Sequence, residues 1–252
     1  MIGKNKIALV TGSSKGIGKA IAIRLAKEGY ITYVTYRTDK KGGEKTVKEI
    51  EEFDGKAYLL QIDVRSEEQV KSAFEKIKND YGHLNVLVNN AGIEIPKDIE
   101  KVSFDEWKTV TETKIHGVFL CTKYAIPLMK NQDNANIINI ISSLGIKPIP
   151  EAPAYCVGNA GVIAFTKMMA IHLGKYGIRT NGISPGTTRT HMWDSMNGDD
   201  DKMWENFAKN NPMGRVSTPE DIASAVMMII NDESGYLNGN FIFVDGGAYL
   251  KR

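Results

Sequence analysis

Short apolar runs alternate with longer amphipathic segments along the whole chain. A continuous apolar run is typical of a strand buried on both faces. Seven strands are predicted, at IALV (7–10), ITYVTY (31–36), KAYLLQID (56–63), LNVLVNNAG (84–92), ANIINIIS (135–142), IRTNGIS (178–184) and NFIFVDGG (240–247). Segments with helical spacing predict helices at 19–29, in the polar stretch before Phe53, and at 66–81, 104–131, 154–176 and 219–231. This alternation predicts βα units, and hence an α/β protein with a parallel sheet covered on both faces.

Composition narrows the class of protein. The chain has 252 residues without a linker or low-complexity tract, which suits a single domain over residues 1–252. A net charge of +2 and a pI near 8.3 give no reason to expect a nucleic-acid partner. We find no apolar run of roughly 18 residues and no leader-like start, so we expect a soluble, cytoplasmic protein without a membrane segment.

Cysteine and histidine form no metal-binding pattern. Cys121 and Cys156 lack a CxxC or other ligand spacing, so reduced, buried thiols are expected. The four histidines, at positions 83, 116, 172 and 191, form no ligand pair. We therefore expect no metal site.

A glycine-rich turn follows the first predicted strand, in KIALVTGSSKGIG (6–18). Gly12, Gly16 and Gly18 lie between this strand and the first helix. Glycine is needed where a backbone turns sharply or approaches a phosphate, and a helix N-terminus attracts anions. Taken alone, the turn leaves two interpretations open, a phosphate cradle and an ordinary βα turn.

Several motifs together resemble the short-chain dehydrogenase/reductase family over essentially the whole chain. They are the T-G-x-x-x-G-x-G turn at Thr11–Gly18, the N-N-A-G turn at Asn89–Gly92, Ser142 at a strand end, Tyr155, Pro185-Gly186 and Val244–Gly247. The resemblance implies a doubly wound, Rossmann-type parallel sheet of seven strands with helices on both faces. It also implies a nicotinamide dinucleotide across the carboxyl ends of the strands.

The resemblance assigns a cofactor role to each motif. The pyrophosphate would contact Gly12, Ser14, Lys15, Gly16, Ile17 and Gly18, and the adenine would contact Asp63 and Val64. Asn90, Ala91 and Gly92 would lie beside the adenine ribose. Pro185, Gly186, Thr188 and Thr190 would cover the nicotinamide, with Tyr155 beside it.

The catalytic positions depart from the family pattern. The family uses a tyrosine that exchanges a proton with the substrate oxygen, a serine that binds this oxygen, a lysine four residues after the tyrosine, and an asparagine on the preceding helix. Tyr155 and Ser142 match the first two, but Asn159 stands where the lysine is expected. Lys114, seven residues after Trp107, stands where the asparagine is expected. The pattern indicates that lysine and asparagine have exchanged places, and that Lys114 lowers the pKa of Tyr155.

Two functions remain open from the sequence. The first is an oxidoreductase that interconverts a carbonyl and a secondary alcohol on a small molecule. The second is a catalytically weak dinucleotide-binding protein, a sensor or partner subunit, in which Lys114 faces solvent. The presence of both Ser142 and Tyr155 favours the first.

The preferred cofactor is predicted from the end of the second strand. An NAD-preferring relative would have an acidic residue there for the ribose hydroxyls. This chain has Tyr36 and then Arg37, with Lys15 in the glycine-rich turn. Two cations and no carboxylate suit a 2′-phosphate, so NADP(H) is predicted, with Arg37 the larger contributor.

Two further expectations concern substrate and assembly. A substrate lid is expected at about 188–212, with apolar residues at amphipathic spacing that include Trp193, Met196 and Trp204, and an acidic tip at Asp199–Asp201. Glu94, Lys147, Glu151 and His191 are candidates for the edge of the substrate pocket, but they identify no substrate. The predicted helices 104–131 and 154–176 are too apolar for one buried stripe. The resemblance implies a homotetramer built on these two helices and on the last strand.

Overall fold

The computed structural model describes residues 5–193 and 200–251, which form one seven-stranded parallel sheet. The strands are β1 (Lys6–Val10), β2 (Tyr30–Tyr36), β3 (Ala57–Gln61), β4 (Val86–Asn89), β5 (Ala135–Ile140), β6 (Ile178–Pro185) and β7 (Phe241–Val244). Their order in the sheet is β3-β2-β1-β4-β5-β6-β7. From β1 the chain adds β2 and β3 on one side, and from β4 it adds the remaining strands on the other side. Doubly wound sheets bind ligands at such a switch point, which here lies between β1 and β4. The predicted Rossmann-type fold is confirmed.

Helices cover both faces of the sheet. They are α1 (Gly16–Lys27), α2 (Lys40–Glu51), α3 (Glu67–Tyr81), α4 (Phe104–Thr111), α5 (Gly117–Met129), α6 (Pro153–Leu173), α7 (Asp201–Asn210) and α8 (Pro219–Ile230). Ser66 caps the N-terminus of α3, where its side chain accepts a hydrogen bond from the N–H of Gln69. One apolar cluster joins the sheet to α3 and α5, and another joins it to α1 and α8. The central strands are buried on both faces because each contributes side chains to both clusters.

The prediction of one continuous α-helix at 104–131 is wrong. A π-helical turn, Glu112–His116, separates α4 from α5. Such a turn holds one residue more than an α-helical turn, and it changes the direction in which the side chains point. Two consecutive side chains, Thr113 and Lys114, are therefore both buried. The sequence does not reveal this insertion. The residues that disfavour a helix in this segment are Gly117 and Pro127, and both lie after the π-helical turn.

The segment Pro153–Tyr176 is long and apolar enough to cross a membrane by length and composition, contrary to the expectation from the sequence. One such segment is weak evidence for a membrane span. In the fold, α6 packs against β6, and buried polar residues run along it. Asn139 of β5 accepts from Asn89 and donates to Thr166 of α6, each at 2.8 Å. These contacts place α6 in the protein core, and the predicted cytoplasmic location stays a prediction.

Candidate active site

A cavity of about 860 Å³ lies at the carboxyl ends of the parallel strands, and the segments after all seven strands contribute to it. Every residue that the resemblance assigned to the cofactor lies in its wall: Gly12, Ser14, Lys15, Gly16, Ile17, Gly18, Arg37, Asp63, Val64, Asn90, Ala91, Gly92, Tyr155, Pro185, Gly186, Thr188 and Thr190. Ser142 and Lys114 lie in the same wall, whereas Asn159 is fully buried behind it. The fold therefore brings the predicted cofactor and catalytic residues to one place.

The turn between β1 and α1 has backbone positions that only glycine fits. Gly12 and Gly16 have φ of +62° and +57°, a left-handed conformation that other residues rarely adopt. A Cβ on Gly18 would collide with the carbonyl oxygen of Gly12 and the side-chain amide of Asn90. The side chain of Lys15, the N-cap residue of α1, makes no capping hydrogen bond in the described structure, so the N–H groups of the first turn are available to an anion in the cavity. The turn fits a phosphate group.

Hydrogen bonds join this turn to the turn after β4. Thr11 Oγ1 accepts from the backbone N–H groups of Asn90 and Ala91, at 2.9 and 3.0 Å. Asn90 Nδ2 donates to the carbonyls of Thr11 and Gly12. The N–H of Gly12 donates to Thr35 Oγ1 of β2 at 2.9 Å. Asn90 thus fixes the geometry of both turns, and its amide N–H groups are engaged in doing so.

Tyr155 and Ser142 approach each other from α6 and from the end of β5. Burial raises the pKa of Tyr155 to about 12, and the negative charge of Glu94 adds to this effect. Hydrogen bonds from the Ser142 and Asn159 side chains act in the opposite direction on the same pKa. The phenol is therefore protonated at neutral pH, which suits a proton donor better than a proton acceptor.

Lys114 is buried, with 4% of its surface exposed. Its Nζ donates to the carbonyl oxygen of Ile140 at 2.6 Å. It lies 3.6 Å from the position that a Cβ on Gly92 would occupy. Burial lowers the pKa of Lys114 to about 8, so the amine is mostly charged at neutral pH. The alternative in which Lys114 faces solvent is wrong, because its side chain is buried. The expected lowering of the Tyr155 pKa by Lys114 is not found either. The side chains that lower this pKa are Ser142 and Asn159, and burial of the phenol outweighs them.

The helix that carries Tyr155 makes room for Lys114. A Cβ on Gly158 would lie 3.2 Å from Lys114 Cβ and 3.3 Å from its Cγ, which is tighter than normal packing. The next residue, Asn159, donates from Nδ2 to the carbonyl of Tyr155 at 2.9 Å. Its Oδ1 is buried and has no hydrogen-bond partner among the described residues. A buried acceptor without a donor requires an explanation, and Lys114 has N–H groups beyond the one that Ile140 accepts.

Comparisons with known proteins identify the family. A family model described as enoyl-(acyl carrier protein) reductase matches residues 12–249. The chain belongs to the short-chain dehydrogenase/reductase family. It is 36% identical over 245 residues to a 3-oxoacyl-acyl-carrier-protein reductase, FabG, of Staphylococcus aureus, covering 97% of this chain and 98% of the relative. It is also 36% identical over 248 residues to 3beta-hydroxysteroid dehydrogenase 1 of Eggerthella lenta, covering 98% and 95%.

A solved structure agrees with this assignment. A variant of a Serratia marcescens short-chain dehydrogenase/reductase matches with a TM-score of 0.89 and 28% identity, covering 98% of each chain. Short-chain dehydrogenases/reductases are oxidoreductases that generally bind NAD(H) or NADP(H). The glycine turn, with its uncapped helix and no space for a Cβ, fits the pyrophosphate of such a cofactor.

The cations predicted to bind a 2′-phosphate lie at the cavity wall, but a carboxylate lies there too. Arg37 and Lys15 form no ion pair with the described residues. Asp39, which the sequence argument overlooked, also lines the cavity, so the expectation of no carboxylate is wrong. The Asp39 side chain accepts the N–H of Gly42 at 3.0 Å and caps α2. The capping hydrogen bond holds the Asp39 carboxylate against the N-terminus of α2.

The adenine end of the site has an ion pair that the sequence did not suggest. Arg65 Nη2 donates to Asp63 Oδ2 at 2.6 Å, and Arg65 Nε donates to Asp63 Oδ1 at 3.0 Å. The hydrogen bonds from Arg65 hold the pKa of Asp63 below its usual value. Asp63 is therefore ionised, and its side chain is fixed at the cavity wall beside Val64.

The segment expected to cover the nicotinamide is held by its own hydrogen bonds. Thr188 Oγ1 donates to the carbonyl of Gly186 at 2.9 Å and lies 2.7 Å from Ser217 Oγ. Thr188 therefore helps to fix this loop, and its expected place at the nicotinamide stays a prediction. The Thr190 side chain instead packs over Gly16, 3.6 Å from the position of a Cβ there.

The predicted lid is partly described. Met196 and Asp199 lie outside the described residues, as does the rest of 194–199. Beyond them, α7 is the amphipathic helix that the spacing predicts, and its Trp204 is buried. Trp193, Trp204 and Phe207 pack edge-on, with ring centroids 5.2–6.3 Å apart. These aromatic side chains mainly pack against one another.

The substrate end of the cavity includes three of the four predicted edge residues. Glu94, Lys147 and His191 line the wall, whereas the exposed Glu151 is not among the lining residues. Lys147 Nζ donates to the carbonyl of Tyr249 and lies 4.2 Å from the centroid of its ring. Tyr249 was missed because it follows the last strand, where the sequence carries no catalytic motif.

Proposed function

We propose that this protein is an NADP(H)-dependent oxidoreductase that interconverts a carbonyl and a secondary alcohol on a small molecule. One observation carries the proposal: Ser142, Tyr155 and a buried cationic Lys114 line the same cavity as the glycine turn. The family supplies the general reaction class, and the cavity supplies the groups for both proton transfer and cofactor binding.

Tyr155 is the proton donor in the reductive direction, and Ser142 binds the same substrate oxygen. When bound, the dinucleotide supplies the hydride. The high pKa of Tyr155 keeps its proton in place until the substrate oxygen becomes basic. Ser142 Oγ accepts a hydrogen bond from the backbone N–H of Leu144 at 3.2 Å, and this bond orients the hydroxyl. Both hydroxyls would bind one oxygen, so hydride transfer and protonation would occur on a fixed carbonyl.

Lys114 stabilises the phenolate that Tyr155 becomes after it has given up its proton. Lys114 and Tyr155 lie in the same cavity wall. In general, a positive charge about 5 Å from a phenolate, at an effective dielectric constant of about 20, stabilises it by about 3 kcal/mol, and the effect falls as the distance grows. Lys114 also lies beside Gly92, where it can hold a ribose hydroxyl. The unpartnered Oδ1 of Asn159 is then the acceptor for a water that Lys114 orients. In this proposal the two residues have exchanged the roles that they have in the family.

A panel of ketones, aldehydes, sugars and a 3-oxoacyl thioester, assayed with NADPH, tests the reaction class. The last compound is included because the S. aureus relative is named for it. NADPH oxidation that depends on one class of carbonyl would support the proposal. Tight NADPH binding without turnover of any compound would instead support the alternative of a catalytically weak dinucleotide-binding protein.

Cofactor preference gives a sharper test of the same site. NADPH is expected to bind at least tenfold more tightly than NADH, because Arg37 and Lys15 lie at the wall and form no ion pair within the described part of the chain. Arg37→Met is expected to weaken NADPH binding by about 10- to 100-fold and to leave NADH binding nearly unchanged. Fluorescence titration measures all four constants. Arg24→Met is the control, since Arg24 is an exposed arginine that pairs with Glu28 on α1. Equal or tighter binding of NADH to the parent protein would contradict the preference.

We also propose a homotetramer, in which α4, α5 and α6 form contacts between subunits. These helices expose large apolar side chains in the described chain: Phe104, Phe119, Val157, Met168 and Ile171. Exposed apolar surface of this extent on neighbouring helices is typical of protein–protein contacts. The family resemblance suggested the same helices.

A further inference from the structure

Glu94 differs from every other acidic side chain that lines the cavity in the described part of the chain. Asp39 caps α2, Asp63 pairs with Arg65, and Asp245 accepts the N–H groups of Gly247 and Tyr249. Glu94 lines the same cavity and forms no hydrogen bond or ion pair with the described residues.

The surroundings of Glu94 penalise a carboxylate that has no partner. The side chain is half-buried, and this burial raises the pKa of Glu94 above its ordinary value. Glu94 comes two positions after Gly92, beside which Lys114 lies. It shares the cavity wall with Tyr155, and its charge acts on the Tyr155 phenol, so it lies near the proton donor. A buried carboxylate is costly unless a donor reaches it. Because the protein supplies no such donor from its described residues, the substrate is the natural source.

We propose that Glu94 is a specificity-determining residue, which accepts a hydrogen bond from a hydroxyl or ammonium group that the substrate carries near its reacting carbonyl. The preferred substrates are then hydroxyketones or aminoketones, and ketones with a carboxylate at the same place are rejected by like charge. This inference rests on the proposed carbonyl–alcohol reaction, whose substrate class it specifies. A site built to bind a donor discriminates strongly, because an analogue without the donor leaves the buried carboxylate unpaired.

Four ketones of equal chain length, which differ only in a terminal hydroxyl, ammonium, methyl or carboxylate group, test the proposal. With the parent protein, kcat/KM for the hydroxyl and ammonium compounds is expected to exceed that for the methyl compound by about 10- to 100-fold. The carboxylate compound is expected to be the poorest substrate. Glu94→Gln should lower the ammonium preference at least tenfold and raise kcat/KM for the carboxylate compound. It should change the hydroxyl preference only severalfold, because an amide oxygen still accepts from a hydroxyl.

Glu100→Gln is the matched control, because Glu100 is an exposed glutamate six positions further along the chain and outside the cavity wall. It removes the same charge and should leave all four values within about twofold. If Glu94→Gln leaves the order of the four ketones unchanged while they are still reduced, the role of Glu94 is wrong and the proposed reaction stands.

A binding measurement tests the role of Glu94 even if the proposed reaction does not occur. Calorimetry gives the affinity of the four corresponding alcohols for the protein saturated with NADP⁺. One possible result is that no ketone is reduced, yet the ammonium alcohol binds at least tenfold more tightly than the carboxylate alcohol and Glu94→Gln removes this difference. In that case Glu94 recognises the donor, and the proposed reaction fails. Equal binding of all four alcohols to the parent protein would overturn the role of Glu94.

Discussion

Lys114→Met is expected to lower kcat for ketone reduction by about 10²- to 10⁴-fold, while NADPH binding through the glycine turn changes by less than about tenfold. Methionine keeps most of the apolar stem that packs against Gly158 but removes the ammonium. Without that charge, proton donation by Tyr155 leaves an unstabilised phenolate in a buried site. Stopped-flow reduction under single-turnover conditions measures the step, and fluorescence titration measures cofactor binding.

Lys108→Met provides the control for this experiment. Lys108 is an exposed lysine on α4 that pairs with Asp105, and it lies outside the cavity wall. Its substitution removes one charge from the same stretch of chain and should leave kcat within about twofold. If Lys114→Met reduces ketones as fast as Lys108→Met does, Lys114 takes no part in the reaction.

The same Lys114→Met substitution is expected to stabilise the protein without cofactor at pH 7, by about 2–3 kcal/mol. Burial lowers the pKa of Lys114 from 10.5 to about 8. The folded state therefore disfavours the ammonium, and this cost is fully present below about pH 8. It declines as the pH rises from about 8 towards 10.5, so the parent should approach the variant in stability over that range. Loss of the hydrogen bond to Ile140 reduces the gain somewhat.

Urea unfolding of both proteins at pH 7, 9 and 10.5, at equal protein concentration, measures this difference. A variant that is more stable but far less active would show that the buried charge is retained for the reaction, at a cost in stability. If the variant is less stable at pH 7, or if the difference does not change with pH, the burial cost assigned to Lys114 is wrong.

The fold could be predicted well from the sequence, because its signals are local and strong. Most of the buried strands are rich in apolar and β-branched residues, and the glycine turn carries its own steric requirement at Gly12 and Gly18. The unusual residues at 114 and 159 were also visible in the sequence as departures from the family spacing, and this spacing already indicated that Lys114 points towards the site. The π-helical turn that carries Lys114 was not visible, because it has no distinct hydrophobic period.

The remaining features of the site depend on contacts between distant residues. Gly158 is an ordinary helical glycine in the sequence, and only the packing shows that it makes room for the Lys114 stem. Asp39 looked like part of a loop, yet it lines the cavity while capping α2. The pKa of Tyr155 was predicted from one charge alone, and the structure shows that desolvation is the largest effect. Each of these depends on three-dimensional neighbours that residue spacing does not specify.

The most direct test of the exchange is a double-mutant cycle on Lys114 and Asn159. Lys114→Asn removes the ammonium, and Asn159→Lys places a second one in the same buried region, so each single change is expected to lower kcat at least 100-fold. The double variant restores one lysine and one asparagine in the family arrangement. Its kcat is expected to lie within about tenfold of the parent, a coupling of neighbouring sites that independent effects do not produce. If the loss in the double variant equals the product of the two single losses, Lys114 and Asn159 do not share one function, and the exchange is contradicted.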